Sequence, residues 1–544
     1  MLDILITGGD IYDGTGAPPV RADLGISGDQ IVLLTAAPAG SAAAGSAAAG
    51  SAAAGSAAAT RVIDATGKAV CPGFINILSH SYYSILTDPR SLGELTQGVT
   101  TEIFGEGSSM GPLTPDMADR ERADGVDVQW LRLSEYLRYA EQCGISQNIA
   151  SFIGPATLRA HVVGYLDRPA TPAELDTMRA LVAEEMADGA LGIGSSLIYP
   201  PGSYASTAEL TALCAVAARY GGRYASHVRN EGGGLLTATD EFISICRDAG
   251  LPGEHWHLKA AGPDNWGLMA GAIERLQQAR DAGLPITADV YPYTASSTGL
   301  TTIIPDKFHE GGAPALYDRL ADPAARAQIR AELAADGRWG DVSSAESVLV
   351  LHAKTEANRQ YQGRTLADIA TEQGVHPIDA ALELIGSDRS RIGVAFFSMA
   401  EENLRQALRT PWVSICSDGT SMAPEGDFLR APTHPRAYGS FARVLGHYVR
   451  DEGVLTLPDA IRRMTSLPAT TLGLAGRGRL APGYFADVVI FDPATVADRA
   501  TFAQPHQLSA GVSEVIVNGT VTISGGTFAG ELAGRALAGP GARR

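Results

Sequence analysis

Between about Val70 and Ala475 the chain repeats one pattern: a short apolar run, a polar or glycine break, then an amphipathic stretch of helical period. The runs include "GVTTEIFGEG", "NIASFIG", "ALGIGSSLIY", "GGRYASHVRNEG", "HWHLKAAG", "PITADVYPY", "IGVAFFS" and "WVSICSDG". Strands covered by helices on both faces read as continuous apolar segments. Their alternation with helices is the layout of an α/β fold, a (β/α)8 TIM barrel, whose chemistry stands at the strand C-termini. We expect the barrel over residues 67–475. A stretch rich in Ala, Arg and Asp at about 301–348 breaks the rhythm and is expected to form a small inserted subdomain over the mouth.

At 544 residues the chain has room for more than a barrel. Residues 2–35 alternate in the manner of short strands broken by glycine, and strand patterns return after Gly476 in "GYFADVVIFDP" and "VSEVIVNGTVTISGG". The two ends, 1–66 and 476–544, are each other's natural partners and are expected to build one small β-sandwich beside the barrel. Within the first lies "GSAAAGSAAAGSAAAGSAAA", residues 40–59. It has no apolar face to bury and reads as a solvated loop between two strands.

The net charge is −18 without an evident basic run, which makes nucleic acid and anionic membrane poor partners. Five scattered cysteines with no CxxC pair fit reduced thiols. No signal-like N-terminus and no long apolar span is evident, so the expectation is a soluble cytoplasmic protein.

His227 and His257 each stand where an apolar run turns polar, on successive expected strands. Two imidazoles at one mouth suit a metal ion. His255, one strand period before His257, points to the same side from deeper in and reads as structural. Asp418 ends a late run before Gly419: a turn residue, or a proton acceptor for a metal-bound water.

These stretches, with "PGFIN…SH", "DVYPYTASST", "HPRAYGSFARVLG" and the long C-terminal segment from "GLAGRGRLAPGYFADVVIFDP" to "VSEVIVNG", resemble the N-acyl-D-amino-acid deacylases, or D-aminoacylases, of the amidohydrolase superfamily. The resemblance covers nearly the whole chain except the GSAAA repeat. It implies a zinc-dependent hydrolase that releases a carboxylate and a D-amino acid from N-acyl-D-amino acids. It implies one tightly held Zn2+ on His227 and His257, with Glu106 of "GEG" where the family has a cysteine; His and carboxylate donors also accommodate other divalent ions. Asp418 matches the catalytic aspartate, and Lys259, Tyr291, Ser297 and Arg436 match the groups that bind the substrate carboxylate.

The expected partner is thus a small molecule bearing an amide and a carboxylate, and a homo-oligomer is compatible with the sequence. The family's HxH motif becomes Leu78, Ser79, His80. For His80 three roles stay open: a metal contact, a hydrogen bond to substrate, or packing. A longer segment between Asp418 and His434 should reshape the pocket rim. Two other readings therefore stand beside the first: hydrolysis of another amide, such as a cyclic amide, a dipeptide or a specialised-metabolite amide, and a relative that binds without turnover.

Overall fold

The computed structural model describes residues 1–36, 58–123, 125–336 and 344–543. Most of the GSAAA repeat, residues 40–57, lies outside them, so the expected loop is not among the described elements.

Eight short strands carry the barrel. β1 (Phe74–Asn76), β2 (Val99–Phe104) and β3 (Asn148–Ser151) run parallel to one another. β4 (Gly192–Ser196), β5 (Arg223–His227), β6 (Gly253–His255), β7 (Ile286–Val290) and β8 (Val413–Ile415) form a second parallel run. Parallel bridges Ile153↔Ile193 and Ser79↔Gly419 join the two runs at both sides, closing one ring of eight. Ile103, Phe152, Ala225, Trp256 and Cys416 are buried together in one apolar cluster of the ring.

The covering helices follow from their apolar spacing. In Leu235–Ala249 the buried residues are Leu235, Ala238, Thr239, Phe242, Ile245 and Cys246, a single stripe of helical period. Ends are set locally: Thr171 and Glu174 make a reciprocal capping box at the start of Pro172–Ala187, and Gly250 takes the left-handed conformation past Ala249.

The chain ends meet in one nine-stranded sheet. Ala69–Pro72 pairs antiparallel with Val488–Phe491, which seams the N-terminal strands to the C-terminal ones. Ile4, Leu24, Ile26 and Ile63 from one end share a core with Val488, Ile490 and Ile516 from the other.

Two expectations about the insertion need correction. "IGVAFFS" is not a barrel strand: Gly393–Phe396 pairs antiparallel with Ser296–Gly299 and Val348–His352. The part that leaves the barrel is accordingly wider than 301–348, since one separate core runs from Leu300 through Ile329, Val350, Ile369 and Leu382 to Phe396. A strand buried on both faces has the same apolar signature in either sheet, so the run alone does not say which one it joins.

A buried polar knot ties the end sheet to the barrel. Arg477 pairs with Asp487 and donates to Asn518 Oδ1 at 2.8 Å; Asn518 Nδ2 donates to Oδ1 of Asn148, on β3, at 2.8 Å. Removing one partner of a buried pair leaves the other charge uncompensated, at about 3–5 kcal/mol. Arg477→Ala should therefore lower the urea midpoint markedly; an unchanged midpoint would show that the knot does not hold the sheet to the barrel.

Candidate active site

The sharpest local constraint at the mouth is the turn after β2. Gly105 has φ +104°, and a Cβ there would stand 2.3 Å from Phe152 O, so only glycine fits. This tight passage delivers Glu106 to the strand C-termini. Its Oε1 lies 2.9 Å from Nδ1 of His227, the last residue of β5, and 3.5 Å from Nε2 of His257. Its Oε2 lies 3.0 Å from His80 Nε2.

His257 reaches the cluster by an unexpected route. β6 ends at His255, and His257 has φ +35°. Its N–H donates to Asp289 Oδ1 at 2.7 Å, which holds the left-handed backbone. His255 was expected on the same side; instead its ring meets Phe242 of a covering helix, with centroids 5.5 Å apart. Strand alternation would align the two histidines only if the strand continued, and it does not.

Asp418, φ +49°, follows β8. Its N–H donates to Leu78 O at 3.0 Å, and His80 N–H donates to Gly419 O at 2.8 Å, so the segments after β1 and β8 fix each other. Asp418 Oδ1 lies 3.0 Å from His80 Nε2, and Oδ2 accepts from Arg436 Nη1 at 2.6 Å. His80 thus touches both Glu106 and Asp418. Leu78 points away, fully buried in the apolar cluster with Ile103, Phe152 and Trp256.

Of the four residues matched to carboxylate binding, Arg436 and Tyr291 lie together, with the guanidinium carbon 4.8 Å from the ring centroid. The Ser297 carbonyl accepts from Arg436 Nη2 at 3.3 Å. Lys259 is already engaged: its Nζ lies 2.7 Å from Glu231 Oε1 and 2.7 Å from His257 Nδ1. Glu231 was missed in the sequence reading. It stands 3.0 Å from His257 Nδ1 and 3.4 Å from His227 Nε2, behind both imidazoles. Its place four residues after His227 in "SHVRNEG", and that of Asp289 in "ADVYPY", were the available signals.

The electrostatics follow from burial and pairing. Burial alone would raise Glu106, yet His227, His257 and His80 hold it well below the usual carboxylate range. Burial likewise works against a charge on His80, but Asp418 and Glu106 lift its pKa to about 9. Asp418 is lowered despite burial, chiefly by Arg436 and then by His257 and His80. Glu231 is lowered despite burial by His227, Lys259 and His257.

Carboxylates that draw protons onto imidazoles will draw a dication in their place. The donor separations of 2.9 and 3.5 Å from Glu106 Oε1 bracket the spacing in a tetrahedral ion with bonds near 2 Å, about 3.3 Å. His227 Nε2 is buried without a hydrogen bond among the described residues, with Glu231 Oε2 3.4 Å away. Glu106, His227 and His257 therefore fit a divalent metal, and His80, Glu106 and Asp418 form an adjoining group.

Comparison with known proteins places the chain in a family. The amidohydrolase family model matches residues 61–523. A D-aminoacylase of Alcaligenes xylosoxydans xylosoxydans is 35% identical over 544 residues, 98% of this chain and 97% of that protein. An N-acyl-D-glutamate deacylase of the same organism is 34% identical over 526 residues, 95% of this chain and 93% of that protein. The crystal structure of N-acyl-D-glutamate deacylase from Bordetella bronchiseptica, complexed with zinc and a phosphonate mimic of the tetrahedral intermediate, has a TM-score of 0.80 at 31% identity, covering 99% of both chains. The chain belongs to the amidohydrolase family, and within it to the D-aminoacylases.

Proposed function

We propose that this protein hydrolyses the amide bond of N-acyl-D-amino acids, with zinc held by Glu106, His227 and His257. The observation that carries this reading is the position of Asp418, one imidazole away from that donor set: His80 Nε2 lies 3.0 Å from both Glu106 and Asp418. A bound zinc ion would polarise the scissile carbonyl and acidify a water. Asp418, ionised and acceptor-only, takes the proton of the attacking water and returns it to the leaving amine nitrogen. Arg436 keeps Asp418 ionised, and His80 fixes the carboxylate's other oxygen.

Glu231 orients His257 through Nδ1, leaving Nε2 directed at Glu106. Charge balance favours an anionic substrate. Glu106, Glu231 and Asp418 are offset by Lys259, Arg436 and the raised His80 to no net charge; a dication makes the site positive, which favours an anionic substrate. The substrate is a small molecule.

Three outcomes are expected. The zinc enzyme should release free amine from N-acetyl-D-amino acids and not from their L-isomers or from cyclic amides; absence of D-substrate turnover would overturn the reading. Asp418→Asn should keep its metal while kcat falls about 10²- to 10⁴-fold, whereas Glu106→Ala should lose metal as measured by atomic absorption. Glu231→Gln should weaken metal affinity by about 10- to 100-fold, read by competition with a chelating dye; unchanged affinity would remove Glu231 from the support of the site.

A further inference from the structure

Arg391, on the insertion, is the cation at the mouth that the reaction leaves unused. The turn that presents it is strained: Arg389 and Ile392 both have φ +46°, and a β-branched residue rarely adopts that region. The turn is also locked. Asp388 accepts the Lys354 and Thr355 N–H groups, each at 2.9 Å, and Asn358 Nδ2 at 3.1 Å. Ser390 Oγ donates to Asp388 and accepts the Ile392 N–H, while Ile392 O accepts the Leu300 N–H at 2.7 Å. These contacts fix where Arg391 points.

It points over Tyr199, with the guanidinium carbon 5.1 Å from the ring centroid, and Nη2 lies 3.4 Å from Thr298 Oγ1. Thr298 Oγ1 in turn lies 2.6 Å from the Tyr199 hydroxyl, and the Tyr199 ring packs edge-on against His227 with centroids 5.7 Å apart. One aromatic ring therefore separates Arg391 from a metal-ligating imidazole. Tyr82, two residues past His80, feels the same charge: burial raises both hydroxyls, Tyr199 to about 12, and Arg391 is the largest opposing influence on each.

The other cations nearby are committed. Lys259 is paired with Glu231, Arg436 with Asp418, and Arg389 with Asp318. Asp388 is filled by the bonds of the turn. Among the described residues Arg391 makes no ion pair. Apart from the long Nη2 contact with Thr298, a guanidinium stacked on a ring keeps in-plane N–H groups to offer a carboxylate.

We propose that Arg391 binds a second carboxylate of the substrate, which makes this a site for dianionic N-acyl-D-amino acids. This rests on the function proposed above and names the substrate class of the same site. The metal centre draws the α-carboxylate, and Arg391 puts a further positive charge at the rim for a second acidic group. That group sits on the amino-acid side chain or on the acyl arm, and the experiment separates the two.

For wild type, Arg391→Met and Arg391→Glu, kcat/KM is measured with N-acetyl-D-glutamate, with its neutral isostere N-acetyl-D-glutamine, and with N-succinyl-D-alanine beside N-acetyl-D-alanine. Wild type should favour the acidic member of one pair on the order of 10- to 100-fold. Arg391→Met should abolish that ratio, and Arg391→Glu should invert it; the pair that responds identifies the arm. A ratio unchanged in both variants, or an equal loss on acidic and neutral substrates, overturns the assignment. Calorimetric binding of the same four compounds to zinc-loaded Asp418→Asn, with and without Arg391→Met, reads the preference without turnover. Loss of all D-substrate hydrolysis with the binding preference intact would count against the proposed reaction and in favour of Arg391's role.

Discussion

The site depends on a single carboxylate shared by three imidazoles. Glu106 faces His227 and His257 through one oxygen and His80 through the other. Each imidazole comes from a different strand end, so the contact exists only because eight strands close into one ring. The carboxylate is buried, and an isolated buried charge would protonate instead of staying ionised. The three rings keep it charged, and the same arrangement offers a cation its ligands. Fold and chemistry are linked at that point: opening the ring at either bridge would separate the donors and strand a buried charge.

Closure alone does not aim the side chains. Both His257 and Asp418 leave their strands through left-handed backbone, a conformation costing on the order of 1–3 kcal/mol for a non-glycine residue. Each has a specific restraint. Asp289 holds the His257 N–H, and Leu78 O holds the Asp418 N–H. The turns convert strand directions, which run along the barrel wall, into side-chain directions that converge on Glu106. Rigid backbone geometry here substitutes for the reorganisation that flexible side chains would otherwise require during the reaction.

The barrel and the pairing of the chain ends could be read from the sequence because each rests on a local signal; Glu106 was expected only through the family resemblance, and the structure brings it together with His227 and His257 and, through His80, with Asp418. Apolar runs mark strands, and polar residues at their ends mark the mouth. What could not be read depended on geometry between distant segments. His255 obeys the period of a strand that stops two residues before His257. "IGVAFFS" carries the signature of a doubly covered strand and finds its partners in the insertion. Glu231 lies inside a recognised motif, but nothing in its spacing says that it turns back to meet Lys259, which changes Lys259 from a free cation into half of an ion pair.

Leu78 and His80 show how the altered strand end is built into the barrel mouth. Leu78 joins the apolar packing of the barrel, and the serines on either side of His80 are tied below it: Ser79 Oγ donates to Glu102 Oε2 at 2.7 Å and lies 2.8 Å from Ser81 Oγ. Asp418 has a matching anchor. Ser417 Oγ donates to Glu94 Oε1 at 2.6 Å, Asn76 Nδ2 donates to both Glu94 oxygens, and Ser421 N–H donates to Ser81 Oγ at 2.9 Å. Burial raises both glutamates, and Glu102 raises Glu94 further; together with the serines and Asn76 they form a hydrogen-bonded floor beneath the site. This floor holds the segments that carry His80 and Asp418 against each other from below. The single histidine in "LSHS" is therefore part of a pair held from below, and its contacts link Glu106 to Asp418.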